Sequence, residues 1–129
     1  MDILVPMDGS ELSKDALRFA VDFANRYDAS VHVVHITDHP GDEEPEIVDE
    51  AKRIISDAGL EDEPEVIINV TQFRWSNRVG KEILNLVEDE GYDHVVMGHH
   101  GSGALGRAIL GSAAERVVRG ATVPVTIIS

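Results

Sequence analysis

The chain contains no cysteine, which excludes disulfides, thiolate metal sites and thiol nucleophiles at a stroke. Positive charge is also scarce: 11 basic residues stand against 24 acidic ones, for a formal net charge of −13, and lysine occurs only as Lys14, Lys52 and Lys81. A surface of that sign offers no footprint for a polyanion, so neither nucleic acid nor an anionic membrane is an expected partner. Long apolar runs are missing as well. No stretch approaches the ~20 apolar residues that a membrane-spanning helix needs, and the opening MDILVPMDGS has neither a basic leader nor a long apolar segment. The expectation is a soluble, cytoplasmic protein. Few lysines and an acid excess resemble proteins of salt-rich cytoplasms, and the expected source is a halophile. At ~1 M salt the Debye length falls to about 3 Å, and such a surface repels itself far less.

What is present is enough for one core. With 129 residues, 43% of them hydrophobic, residues 1–129 are expected to form a single domain. Apolar runs alternate with helical periods along the chain. DILVP (2 to 6), SVHVVHI (30 to 36), EVIINV (65 to 70), DHVVMG (93 to 98) and VPVTII (123 to 128) read as buried strands. Between them, Leu12, Ala16, Phe19, Ala20, Phe23 and Ala24 recur at helical spacing behind a candidate Ser10 cap. Ile47, Ala51, Ile54, Ile55 and Ala58 form a second stripe closed by Gly59. Val79, Ile83, Leu86 and Val87 form a third, and a short helix is expected from about 113 to 119. Five strands and four helices in strict alternation predict a doubly wound α/β fold, a parallel sheet covered on both faces, because parallel neighbours need right-handed crossovers. In such a Rossmann-like sheet, of order 3-2-1-4-5, ligands bind beyond the carboxyl ends of the strands where the winding reverses. That points to the loops after Pro6, Ile36 and Met97. DHPGDEEP (38 to 45) reads as an acidic surface loop.

The stretch from Met97 to Glu115 holds five of the eleven glycines and accommodates two phosphate-binding patterns. Gly101-x-Gly103-x-x-Gly106 matches the dinucleotide fingerprint in letters only. It follows the fourth strand rather than the first, and the positions about 20 residues on are the apolar VPVTII instead of an acidic residue for the ribose. The alternative, Gly98-x2-Gly101-x9-Gly111-Ser112, fits its context: a glycine loop leaves a buried strand and returns to the N-terminus of a helix, whose N–H groups lack intrahelical partners. Charge-assisted bonds from such groups contribute roughly 1.5–3 kcal/mol each, enough for three or four to hold a phosphate on an acidic protein. Arg107 is the cation inside the loop and His99-His100 lie beside it. Ser112-x-x-Glu115 also has capping-box spacing, so two roles stay open for the Ser112 hydroxyl: on a ligand, or on its own helix.

The element order, the PMDGS after the first strand, the VVHI of the second, the Gly98-x2-Gly101-x9-Gly111-Ser112 spacing and the terminal VPVTII resemble the universal stress protein family over essentially the whole chain, in its ATP-binding subclass. The resemblance implies an adenine nucleotide alpha hydrolase-like fold. Gly98, Gly101, Gly111 and Ser112 would meet phosphates and ribose, and Asp8 the nucleoside. Ile36 and Met97 would line the adenine pocket. With the neighbouring Pro6, His99, Arg107 and Ala113, these make up the expected cofactor-binding set. The family's usual Gly-x-Pro is absent from FRWSNRVGKEIL, and the second crossover, 38 to 64, is short.

The implied cofactor is ATP, with Mg²⁺ or Mn²⁺ that Asp8 can help hold. No Walker lysine, Ser/His/Asp triad or spaced carboxylate pair identifies a base, so no catalytic residue is assigned and any ATP hydrolysis is expected to be slow. Six histidines, His32, His35, His39, His94, His99 and His100, suggest a metal site, but those on buried strands read as structural, His99-His100 in the loop meet phosphate or solvent, and no protein metal site is assigned. The expected function is an ATP-linked regulatory module of the stress response, with a slow metal-dependent hydrolase or a non-nucleotide interaction protein as alternatives. In the 3-2-1-4-5 order VPVTII lies on a sheet edge, which predicts a homodimer through residues 123–128.

Overall fold

The computed structural model describes residues 1–37, 41, 43–68, 75–99 and 111–129, with the backbone alone for 75–77. Five strands and four helices alternate: β1 (Asp2–Pro6), α1 (Glu11–Tyr27), β2 (Ser30–Thr37), α2 (Glu44–Asp57), β3 (Glu65–Ile68), α3 (Trp75–Glu90), β4 (His94–Gly98), α4 (Ser112–Gly120) and β5 (Val125–Ile128). The strands form one parallel sheet in the order β3-β2-β1-β4-β5. The expected winding is therefore the observed one.

Central position explains the apolar runs. Strand β1 lies between β2 and β4, and Ile3, Leu4 and Val5 are fully buried because both faces of the sheet are covered. On one face Ile3, Val5, Val31, Val33 and Val96 pack against Ala16, Leu17, Ala20 and Ala24 of α1 and Ala51 and Ile55 of α2. On the other, Leu4, Val34, Ile36, Val95 and Met97 meet Ile83 and Val87 of α3 and Ala114 and Val117 of α4. Full burial of one such aliphatic side chain contributes about 1.5–3 kcal/mol. Helices α3 and α4 touch through glycine: a Cβ on Gly80 would lie 2.6 Å from the Arg116 side chain, and one on Gly120 would lie 2.7 Å from Leu84. That close crossing fixes where α4 starts.

Boundaries differ from expectation at the starts of α2 and β5. Glu44 and Pro45, assigned from sequence to a surface loop, are the first turn of α2, a position that suits proline's missing donor and the helix dipole's preference for acid. Positions 38–40 and 42 of that stretch lie outside the described residues, as do residues 69 and 70 at the end of the expected third strand. Strand β5 begins at Val125 rather than at 123, beyond Pro124, which has no N–H to give a ladder. Gly59 does end α2, with φ +77° at the position after the Ala58 cap.

Candidate functional site

Every predicted site residue within the described part of the chain lies at the carboxyl end of the sheet. The loop from β1 to α1 is tied down by main-chain bonds on one side and short side chains on the other. The Met7 N–H donates to the Val34 carbonyl at 2.8 Å, and the buried His35 lies 2.8 Å from the Met7 carbonyl through Nδ1. A carbonyl only accepts, so that ring nitrogen carries the proton. Beyond Met7, the exposed Asp8 accepts the Ser10 N–H on Oδ1 at 2.9 Å. Gly9 turns the chain at φ +87°, a conformation that side-chain-bearing residues rarely adopt. Ser10 then caps α1, its Oγ accepting the Ser13 N–H at 3.2 Å, as expected.

The opposite wall is the start of α4. The His99 N–H donates to Ile128 at 2.8 Å, and the His99 carbonyl accepts the Gly111 N–H at 2.7 Å. One buried residue thus joins β5, the end of β4 and the entry to α4. Gly111, at φ −61° and ψ 156°, is the helix N-cap and has no capping side chain. Ser112 is the first helical residue and is exposed. The capping-box alternative for Ser112 is therefore overturned: the helix starts one residue too early for Ser112 to reach the N–H three positions on. Glu115 instead pairs with Arg119 at 3.0 Å. The Gly111 N–H is taken by His99 and the Glu115 N–H by the Gly111 carbonyl at 2.9 Å. The N–H groups without an intrahelical partner are those of Ser112, Ala113 and Ala114.

Between these walls lie Pro6, Ile36, Met97 and Gly98. The register of β1 on β4, Ile3 to His94 and Leu4 to Val95, continues to put Pro6 level with Met97. Pro6 pairs with Val34 of β2, two residues before Ile36. Ile36 and Met97 are both buried in the cluster on the α3 and α4 face, so they supply an apolar wall. Glu44 comes near the same end. Its carboxylate accepts the Gly41 N–H at 2.8 Å, which holds its pKa below the usual glutamate value, with a smaller contribution from His35. Gly101 and Arg107, like Gly103, Gly106 and His100, lie outside the described residues.

Sequence reasoning brought Asp8, Met97, Gly98, His99, Gly111, Ser112 and Ala113 to one end of the sheet but missed three contributors. His35 clamps Met7, which only the fold reveals. Gly9 shapes the turn, and a strand followed by glycine and a capping serine was the available signal. Ala114 completes the donor set one residue inside the helix.

Comparison with known proteins locates this arrangement. A model of the universal stress protein family matches residues 1–129. A universal stress protein of Methanocaldococcus jannaschii is 28% identical, covering 98% of this chain and 80% of the relative. The structure of a universal stress protein from Archaeoglobus fulgidus superposes with a TM-score of 0.77 at 25% identity, covering 100% of this chain and 93% of that one. A structure from the same organism, described as a complex with dAMP, has a TM-score of 0.76 at 25% identity, covering 100% of this chain and 98% of that one.

Proposed function

The chain belongs to the universal stress protein family, and from that premise we propose that it binds ATP at the carboxyl end of its sheet and serves as a nucleotide-linked regulatory module of the stress response. The observation that carries the proposal is the N-terminus of α4, seated by His99 beside the end of β4 with three main-chain donors and an exposed Ser112 hydroxyl. A helix end of this kind accepts a phosphate through direct bonds and through its dipole. The dAMP complex of the A. fulgidus relative supports an adenine nucleotide as the ligand class.

The residues present fit such a group. Ser112, Ala113 and Ala114 would hold phosphate oxygens, with Gly98 at the end of β4 and Gly101 and Arg107 in the segment that follows it. Asp8 takes the nucleoside's hydroxyls or, through water, a Mg²⁺ or Mn²⁺ ion. Pro6, Ile36 and Met97 supply the apolar wall for the base. Bound ATP supplies charge and a triphosphate that differs from its hydrolysis product by one phosphoryl group, and the chain answers by changing its conformation or its partner. We take 1–129 as one domain and place it in the cytoplasm. Among the described residues no helix is long and apolar enough to cross a membrane. We also propose a homodimer through residues 123–128, since β5 lies at the sheet edge.

Calorimetric titration with ATP, with and without Mg²⁺, tests the nucleotide reading. Saturable one-to-one binding is expected, lost in Gly101→Val with the circular dichroism spectrum unchanged. Equal affinity in that variant would overturn the site, and sustained multiple-turnover release of phosphate would make the protein an enzyme instead.

A further inference from the structure

Half of the chain's six aromatic residues, Phe19, Phe23 and Tyr27, follow one another at i, i+4 and i+8 on α1. Their rings form a ladder, with centroids 6.3 Å apart for Phe19 and Phe23 and 4.6 Å for Phe23 and Tyr27. Phe23 rests on the core, while Phe19 is 42% and Tyr27 64% exposed. The opposite flank of α1 belongs to α2: Lys14 pairs with Glu50, and the Asn25 amide donates to the Ala58 carbonyl. The aromatic flank therefore faces the other way, toward β5. There the Phe23 ring stands edge-on to His94, 5.5 Å away, and His94 Nε2 lies 2.8 Å from the Thr126 hydroxyl of β5.

The edge beside it needs more surface than it has. The Pro124 and Ile128 carbonyls accept from Val95 and His99 of β4, so in the alternation of a strand the groups of Val125 and Ile127 face outward. Four residues span only about 13 Å, and a standard interface takes about 20–30 residues a side. Charge limits where two copies can meet, because each carries −13, yet residues 121–129 include no charged side chain.

We infer that the Phe19, Phe23 and Tyr27 stripe and the β5 edge form one continuous surface that binds a second copy of this chain, with Phe19 beside the two-fold axis. The inference rests on the β5 pairing proposed above and adds a helix to it. Helix α1 runs against the strands, so one turn back from Phe23, about 6 Å, Phe19 stands level with a position two residues along β4 from His94, about 6.6 Å away. That position is Val96, which pairs with Thr126. A two-fold axis through the middle of β5 brings the two Phe19 rings to either side of it.

Light scattering across the micromolar range, on the full chain, tests this with two sets of variants. Phe19→Asp is expected to weaken the dimer about 30-fold or more with an unchanged circular dichroism spectrum, since Phe19 is already partly in water. Val125→Lys with Ile127→Lys should do the same. If the β5 variant is monomeric while Phe19→Asp dimerises as the native chain does, the aromatic stripe is excluded and the strand pairing stands. If Phe19→Asp is monomeric and the β5 variant is not, or if the native chain is monomeric throughout, the combined surface is refuted. The absence of native cysteine gives an independent readout. Phe19→Cys should cross-link with a short bis-maleimide and Asn25→Cys, on the α2 flank, should not; the reverse result refutes the placement.

Discussion

The two ends of the sheet are built from different materials. At the carboxyl end three main-chain bonds, Met7 to Val34, His99 to Ile128 and Gly111 to His99, carry the framework together with the His35 and Ser10 side chains, leaving Asp8 and Ser112 exposed. At the amino end main-chain bonds such as Ser30 to Met1 and Asp93 to Asp2 are joined by a network of charged side chains. Asp62 lies 2.7 Å from His32 Nδ1 through Oδ1 and accepts the Val33 N–H at 2.9 Å through Oδ2. That N–H has no strand partner on this side because β3 begins only opposite Val34. Glu65 stands 3.3 Å from the second His32 nitrogen, and the Tyr92 ring is parallel to the imidazole at 6.3 Å. Asp93 accepts the Asp2 N–H at 2.8 Å, and Ser30 donates to the Asp2 carboxylate. The carboxyl end leaves polar side chains exposed where a ligand can meet them, whereas the amino end commits its charged side chains to one another and to the strand ends.

The largest effect should come from the amino end. Asp62→Ala strips a buried N–H of its acceptor and His32 of its partner, a loss of about 2–3 kcal/mol that should lower the melting temperature by roughly 10 °C. Calorimetry should find ATP affinity within about two-fold of native once the protein is folded. A large loss of affinity in this variant would show that the two ends are coupled, which breaks the comparison.

Gly9→Ala comes next, and it is the one carboxyl-end change expected to register on both scales. A Cβ there would sit 3.1 Å from the Ile47 side chain at φ +87°, costing about 1–2 kcal/mol. The strain falls beside Asp8, so nucleotide affinity should drop with stability. Thermal unfolding and titration on the same sample check both.

Two histidines sharpen the contrast through pH. The hydrogen bond and charge of Asp62 raise the His32 pKa above 6.5, against the lowering effect of burial, and Glu65 adds to the rise. His32 therefore stabilises the fold fully below pH 6.5, and that contribution is lost as pH rises through the folded-state value. Burial lowers the His94 pKa instead. Its neutral form is the favoured one, so stability is full above pH 6.5 and is lost as pH falls through the folded-state value. Two imidazole resonances titrating on opposite sides of 6.5 in an NMR pH series are expected, with His32→Gln flattening the alkaline limb of the stability profile and His94→Gln the acid limb. The Tyr92 phenol, pushed up to about 12 by burial first and then by Glu90, Glu65, Asp62 and Asp2, stays neutral throughout.

The amino-acid sequence makes the winding legible because the central strands are dominated by β-branched and other apolar residues and each helix keeps its period. Ile3, Leu4 and Val5, buried on both sides, can be little else. It is less informative where one residue type serves two purposes. Pro45 with Glu44 reads as a turn but opens α2, since proline and acid suit a helix's first turn as well as a loop. The bond from His35 to Met7 joins residues 28 apart, and the Asp62 bond to Val33 joins residues 29 apart. No local pattern announces either, because each depends on how the sheet brings strand ends together.

The smallest effect on stability is expected from Ser112→Ala. At a true N-cap that change costs about 1 kcal/mol, and the spacing to Glu115 would suggest such a loss. Here Gly111 is the cap and makes no side-chain cap bond, so the substitution at an exposed first-turn position should stay within about 0.5 kcal/mol, and alanine's helix propensity acts in its favour. The ligand should feel it more. If the hydroxyl meets a phosphate, ATP affinity falls by about 1–2 kcal/mol, the worth of one hydrogen bond to a charged group, while adenosine binding is unchanged. Parallel calorimetric titrations with ATP and adenosine, alongside thermal unfolding, separate the two roles. An equal loss for both ligands together with a lowered melting temperature would return Ser112 to the helix, and the carboxyl end would then commit one more side chain, beside His35 and Ser10, to its framework.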